Sequence, residues 1–370
     1  MANRSPSGAK TLALAVLLLA QLACGGLDLL VEDLAVRETV QGDWIRVTFT
    51  DPRYPEEEAD RHGGIDRELI AVIDQAETTV DLVAYDFDLR SVAEALIAAE
   101  QRGVRVRVVT ESENVPDNRH VLIDLERAGI PVIEDNRENG LMHNKFVVID
   151  GASVWTGSWN MTENGTYRNN NNAVLITSQA LADNYTSEFE EMVARQFGPD
   201  SPTDTPYPRL TIAVEADGET QRRVELENYF SPEDDVDDRI IAAIGRARRR
   251  IRFMAFVFTS DAIADAMLER AEDGVVVQGV MESRNVNGQY DEYQRLQSAS
   301  HDVLLDGNPY IMHHKVIIID DETVILGSYN FSRSAEISND ENVLIIHDPA
   351  VASLFVEEFG RIYQQARTAE

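Results

Sequence analysis

Apolar positions along the chain follow two alternating registers. Val104-Arg105-Val106-Arg107-Val108-Val109 places valine on every second position, as a half-buried strand does. Ala93 to Ala99 and its neighbours carry apolar residues at helical spacing. Phe146 to Ile149 and Val316 to Ile319 are unbroken apolar runs, the pattern of a strand covered on both faces. Read in order, the elements are strand, helix, strand, and a further strand that carries a histidine. This series occurs twice. Val80-Asp81-Leu82-Val83-Ala84-Tyr85-Asp86-Phe87 returns as Ile251-Arg252-Phe253-Met254-Ala255-Phe256-Val257-Phe258, 171 positions later. Glu111-Ser112-Glu113-Asn114-Val115 returns at the same shift as Glu282-Ser283-Arg284-Asn285-Val286. Met142-His143-Asn144-Lys145 returns as Met312-His313-His314-Lys315 at a shift of 170. So long a period predicts a duplicated domain rather than a solenoid, and the alternation of strands and helices predicts α/β layers.

The duplicated histidine carries the candidate chemistry. The first copy reads His143-Asn144-Lys145, four apolar residues, Asp150, then Gly157-Ser158-Trp159-Asn160. The second reads His313-His314-Lys315, four apolar residues, Asp320, then Gly327-Ser328-Tyr329-Asn330. Positions i and i+2 of a strand share a face, so each His points with its Lys. Two histidines can divide a displacement at phosphorus. One attacks and becomes phosphohistidine; the other protonates the departing oxygen and then activates water. Two lysines and two asparagines would meet the charge growing on the non-bridging oxygens, which leaves no need for a metal or cofactor.

Composition sharpens this picture. Only Lys10, Lys145 and Lys315 are lysines among 33 basic residues, so a chain that otherwise uses arginine keeps lysine at the two matching positions. The formal net charge of −32, from 65 acidic residues, argues against a protein that coats nucleic acid by charge alone. The single cysteine, Cys24, excludes a disulfide framework and a thiolate zinc cluster. It follows a basic start (Arg4, Lys10), an apolar run from Thr11 to Ala20 that is too short to span a bilayer, and small residues. That order predicts a signal peptide at 1–23 and export. Cys24 is expected to be the lipid-acceptor cysteine of an envelope lipoprotein, with plain secretion as the alternative.

The paired motifs resemble those of the phospholipase D superfamily, whose signature is His-x-Lys with Asp seven residues after the His, followed by Gly-Ser-x-Asn. The resemblance implies two homologous α/β domains, each a mixed sheet flanked by helices, related by a pseudo-twofold axis with both histidines at the seam. The expected organisation is a tether at 24–42, a first copy at 43–198, a linker at 199–208 and a second copy at 209–370. His143, Lys145, Asp150, His313, Lys315 and Asp320 form the candidate catalytic set. Within it the two aspartates, at an odd separation from the histidines, are expected to be structural. Asn160, Asn330, Ser158 and Ser328 are expected to bind the substrate phosphate.

Downstream, Glu341 lies 28 residues after His313, and the matching position after His143 is Asn171. The resemblance implies a downstream acidic residue that receives the proton of the other ring nitrogen, so these two are expected to be orienting partners, each within its own copy. A carboxylate favours imidazolium and an amide leaves the ring neutral. On that basis His143 is the expected nucleophile and His313 the acid, although Glu341 would equally stabilise a cationic phosphohistidine at His313. The implied activity is a phospholipase D-type phosphodiesterase acting on phospholipid at a membrane. The alternatives are a metal-independent endonuclease on DNA or RNA, a phosphatidyl transferase, and an inactive envelope binding scaffold; no protein partner is inferable. Arg246, Arg248, Arg249, Arg250 and Arg252 are expected to close a helix C-terminus, and His314 to be structural.

Overall fold

The computed structural model describes residues 36–369 apart from 42, 203–204, 217–218, 287–289 and 301. The signal peptide predicted at 1–23 and Cys24 lie outside the described residues. In chain order the first eight strands are β1 (Val36–Gln41), β2 (Ile45–Phe49), β3 (Thr79–Ala84), β4 (Arg105–Thr110), β5 (Val132–Glu134), β6 (Lys145–Ile149), β7 (Ser153–Gly157) and β8 (Asn172–Thr177). They are followed by β9 (Arg209–Ala216), β10 (Glu219–Ser231), β11 (Arg250–Ala255), β12 (Val276–Met281), β13 (Val303–Leu305), β14 (Lys315–Ile319), β15 (Thr323–Gly327) and β16 (Glu341–His347).

Each copy builds one mixed sheet. The first has the order β2-β8-β7-β6-β3-β4-β5, the second β1-β9-β10-β16-β15-β14-β11-β12-β13. β3, β4 and β5 pair in parallel, as do β11, β12 and β13. The histidine-bearing strands β6 and β14 run antiparallel to β3 and β11. Valines of β4 turn inward, whereas Arg107 reaches out to Asp81 at 2.7 Å and Glu190 at 2.8 Å. Residues 36–41, within the stretch read as tether, form the edge strand of the second copy's sheet.

The unbroken apolar runs reflect burial on both sides of each sheet. Phe146 and Val148 of β6 enter a core common to both copies, whereas Val147 and Ile149 enter one belonging to the first copy. Val316 and Ile318 of β14 repeat the first pattern, and Ile317 and Ile319 face the second copy's own core. Helices Gln179–Val193 and Pro349–Ala369 fill the common core through Tyr185, Phe189, Phe355 and Ile362. The other long helices cover the outer faces, through Leu69, Leu96 and Leu125 in the first copy and Ile240, Met267 and Leu296 in the second. Each such side chain contributes roughly 1.5–3 kcal/mol on burial. The shared core therefore fixes the two copies against one another, which is what a site at their seam requires.

The arginine run departs from expectation. Its helix, Val236–Ile244, ends before Arg246, and Arg250 and Arg252 already lie on β11. Arg249 pairs with Glu322 at 2.9 Å and Arg252 pairs with Asp321, so these cations meet carboxylates rather than helix carbonyls. Among the described residues no helix is long and apolar enough to cross a membrane.

Candidate active site

β6 and β14 deliver the two motifs in matching fashion. The face holding Val147 and Ile149 continues into Lys145 and His143, and the face holding Phe146 and Val148 continues into Asn144. Lys145 and Lys315 are buried, and each Nζ donates to the backbone oxygen of the histidine two residues before it, at 2.6 and 3.0 Å. A half-exposed aromatic residue walls each pair. Tyr85 packs edge-on to His143 with 4.6 Å between ring centroids, and Phe256 lies against His313 at 4.5 Å. The Lys145 and Lys315 ammonium groups sit 4.9 and 4.6 Å from those same ring centroids.

The two copies then exchange backbone and side chains across the seam. The His143 N–H donates to the Asp340 oxygen at 3.0 Å, and the His313 N–H donates to the Asn170 oxygen at 2.9 Å. These bonds place Glu341 and Asn171 against the histidine of the opposite copy. His143 Nδ1 donates to Glu341 Oε2 at 2.7 Å. His313 Nδ1 lies 3.0 Å from both Asn171 Oδ1 and the Ser158 backbone oxygen. This corrects the expected pairing, in which Glu341 served His313 and Asn171 served His143. The spacing of 28 residues is right, but β8 and β16 begin beside the partner copy's motif rather than their own. Because a backbone carbonyl and a carboxylate only accept, both rings carry hydrogen on Nδ1 and leave Nε2 bare in the neutral form.

The charges lie in one field. Burial pushes both histidines well down from the ordinary imidazole value, and the charges of Lys145 and Lys315 push each of them further. Burial brings Lys145 down to about 7, with Glu341 and Asp86 opposing the shift. Lys315 is pushed well down by burial and by Lys145. Burial raises the Glu341 carboxyl to about 7 against the pull of Lys145 and the Ser328 hydrogen bond. A phosphodiester anion entering between two histidines and two lysines would favour their charged forms, which burial opposes.

Several predicted residues take other duties. Ser158 and Ser328, expected to touch phosphate, are buried, and their hydroxyls donate to Asn171 Oδ1 at 3.0 Å and Glu341 Oε2 at 2.7 Å. They hold the histidine partners. The glycine before each is required by close approach, since a Cβ there would come within 2.4 Å of the Asn172 oxygen or 2.1 Å of the Asn342 oxygen. The buried side-chain oxygen of Asn160 and of Asn330 has no protein partner, and the phosphate-binding role expected of each rests on its Nδ2 group, the only part of the amide that donates.

Asp150 and Asp320 do not belong in a catalytic set. Asp150 accepts from the backbone N–H groups of Glu77, Thr78 and Thr79 at 2.7–3.2 Å, and Asp320 from those of Arg248, Arg249 and Arg250 at 2.7–2.9 Å. Each carboxylate thus closes the turn at the far end of its motif strand. Asp150→Ala should therefore cost roughly 2–3 kcal/mol of stability through orphaned amides. The expected result is a lower Tm with near-normal kcat in the fraction that remains folded. A large kcat loss at unchanged Tm would contradict this account.

His314, between His and Lys, points into the common core as expected, and Asn144 at the matching position of the first copy does the same. His314 Nε2 bonds Glu358 at 3.0 Å, and Asn144 Nδ2 donates to Glu188 at 2.9 Å. Glu188, Glu191 and Glu233 place ligand-type oxygens within 4.8 Å of one another on that face, away from His143 and Lys145. Sequence reasoning missed Glu111 and Glu282, which accept the Met142 and Met312 N–H groups at 2.7 Å and so hold the approach to each histidine. The repeated Glu-Ser-x-Asn-Val segment was the available sign. It also missed Arg137, which reaches across the seam to Asp340 and to the Ser338 oxygen.

A family model described as cardiolipin synthase, PLD-like domain, matches residues 69–193 and again 240–363. The mitochondrial cardiolipin hydrolase of Xenopus tropicalis is 33% identical over 124 residues, covering 34% of this chain and 59% of that protein. A phospholipase D of Rickettsia conorii is 38% identical over 117 residues, covering 32% of this chain and 58% of the relative. The chain thus spans less than two thirds of the length of these curated relatives. Among solved structures, the phosphatidylserine synthase of Haemophilus influenzae matches the fold over 88% of this chain and 87% of its own, with a TM-score of 0.64 and 14% identity.

Proposed function

Because the chain belongs to the phospholipase D superfamily and carries its PLD-like domain twice, we propose that it hydrolyses phosphodiesters through a phosphohistidine. The observation that carries this reading is the convergence of both His-Lys pairs on one seam, each His held through Nδ1 by the other copy. A phosphodiester anion enters between two ammonium groups. Its arrival favours the imidazolium form of the histidine that must act as acid. His143 Nε2 attacks phosphorus, forming an N–P bond as the P–O bond to the leaving alcohol breaks. His313 Nε2–H gives that oxygen its proton. Water then attacks phosphorus, His313 takes the water proton, and the N–P bond to His143 breaks.

The crossed pairing changes the reason for this assignment. Phosphohistidine with a proton on Nδ1 is cationic for the whole life of the intermediate, whereas the acid is cationic only until it gives up its proton. The carboxylate of Glu341 belongs with the longer-lived charge, hence with His143. Phospholipid is the proposed substrate. The names of the relatives support it, and so does the net charge of −32, which repels polynucleotides at long range. Export and membrane attachment through Cys24 are proposed on the sequence of residues 1–24 alone.

Since the lysines supply the positive charge, the full chain should hydrolyse bis(p-nitrophenyl) phosphate in the presence of excess EDTA. Phosphatidylcholine vesicles should yield phosphatidate and choline under the same conditions. Activity abolished by chelation and restored by a divalent ion would overturn the metal-independent mechanism. No ester hydrolysis under any condition would leave the fold to a binding scaffold.

A further inference from the structure

The two seam crossings share a design and differ in charge. In one, the Asp340 oxygen accepts from the His143 N–H at 3.0 Å while the Asp340 N–H donates to the Leu141 oxygen at 2.9 Å. In the other, Asn170 makes the matching bonds with His313 and Ile311, both at 2.9 Å. A side chain from the histidine's own copy clamps each crossing. Arg137 donates to the Ser338 oxygen at 3.2 Å and to the Asp340 carboxylate. Asn308, at the corresponding place in the second copy, donates to the Arg168 oxygen at 3.1 Å and to Asn170 Oδ1 at 2.6 Å. An aspartate anchors both turns, since Asp135 and Asp306 accept from the N–H groups of Ser112 and Ser283, each at 2.8 Å. One clamp is thus a buried ion pair, and its twin is built from two amides.

The ion pair falls on the side that carries Glu341. Asp340 is almost fully buried, and its other carboxylate oxygen accepts from the Gly198 N–H at 2.5 Å. Its remaining neighbours are acidic. Glu341 follows it in the chain, Asp135 lies across Arg137 at 3.3 Å from Nε, and Glu188 and Glu233 are within electrostatic reach. Glu341 itself is faced by His143, Lys145, Lys315, Ser328 and Asn339. Two adjacent buried carboxyls both ionise only if each has its own counter-charge. We propose that Arg137 is a positioning residue for the nucleophile: it fixes residues 338–341 against 141–143 and cancels the charge of Asp340, so that Glu341 meets His143 as a carboxylate. The inference rests on the phosphodiesterase reading. The acid side needs no such pair, because its orienting residue is the neutral Asn171.

The test is the pH dependence of kcat for bis(p-nitrophenyl) phosphate, measured at saturation on the full chain. The position of the acid limb does not depend on how much of a variant is folded. Arg137→Gln leaves Asp340 and Glu341 side by side without that cation, so the second of the two ionises late. The limb should move up by about one pH unit or more, the scale of losing one nearby opposite charge. As a result kcat at pH 7 should fall about 5- to 10-fold. Arg137→Lys keeps the charge and should hold the limb near its original place. Adding Asp340→Asn to Arg137→Gln copies the amide clamp of the acid side, removes the stranded charge and should bring the limb back. A limb that Arg137→Gln leaves unmoved, or that the second substitution fails to restore, overturns the assignment and leaves Arg137 as packing alone. Failure of the unaltered protein to hydrolyse the ester marks the separate case in which the phosphodiesterase reading itself falls and takes this inference with it.

Discussion

Replacing His143 with Asn should lower hydrolysis of bis(p-nitrophenyl) phosphate by about 10⁴-fold or more, the usual consequence of deleting a covalent nucleophile. His313→Asn should fail differently. p-Nitrophenolate leaves without needing a proton, so the first displacement proceeds at His143 without an acid. The second step needs a base to take a proton from water, and His313 is the group placed to do so. That variant should therefore release about one equivalent of p-nitrophenol per site in a rapid burst and then stall. Mass spectrometry of the acid-sensitive adduct should find the p-nitrophenyl phosphoryl group on His143. A burst in His143→Asn with the adduct on His313 would reverse the two roles. Steady turnover in both variants would remove the histidines from the reaction altogether. The prediction does not depend on which lipid is the natural substrate, because the activated ester reports only on the chemistry at the seam.

The duplication, the layer type and the buried character of the motif strands were legible because each has a local signature. His-x-Lys alternates as a strand must, and Phe146 to Ile149 reads as covered on both faces because two different cores do cover it. What the sequence hides is which copy a residue serves. The family resemblance points to Glu341 and the matching Asn171, yet position along the chain is blind to the reciprocal bridges Met142–Asp340 and Asn170–Met312, which hand each partner to the opposite histidine. The serines of Gly-Ser-x-Asn were misassigned for a related reason. A hydroxyl near a phosphate site is an obvious ligand on paper, but the backbone turn that the glycine permits aims it at the histidine partner instead. Arg137 shows the same limit, since nothing near it in the chain points to Asp340, 203 residues away. Local pattern identified the parts, and only the exchange between copies revealed their connections.

That exchange makes the loss of one carboxylate the sharpest test of the crossed arrangement. Glu341→Gln keeps size and shape and can still accept from His143 Nδ1, but it removes the negative charge 2.7 Å from a ring that becomes cationic on attacking phosphorus. Turnover should fall by about 10²–10⁴-fold, the range expected when a histidine loses its ionised partner. Asn171→Ala removes only an amide, and His313 Nδ1 retains the Ser158 carbonyl at 3.0 Å. Its loss should be about 10-fold or less, the scale of one neutral hydrogen bond.

The pH profiles separate the charge from mere packing. With Glu341 raised to about 7, acidification protonates it and withdraws the charge that His143 needs, so activity falls as the pH drops through that region. With Lys145 lowered to about 7, alkalinisation discharges it and weakens phosphate binding, so kcat/KM also falls above neutrality. Bound phosphodiester holds the ammonium protonated, which should carry the alkaline limb of kcat to higher pH than that of kcat/KM. In Glu341→Gln the carboxyl is gone. Its contribution to the acid limb should vanish, leaving a shallower decline that the histidines alone produce. An unchanged acid limb, or a loss no greater than that of Asn171→Ala, would mean that the carboxylate merely fills space beside His143. The cationic intermediate would then have to find its counter-charge elsewhere.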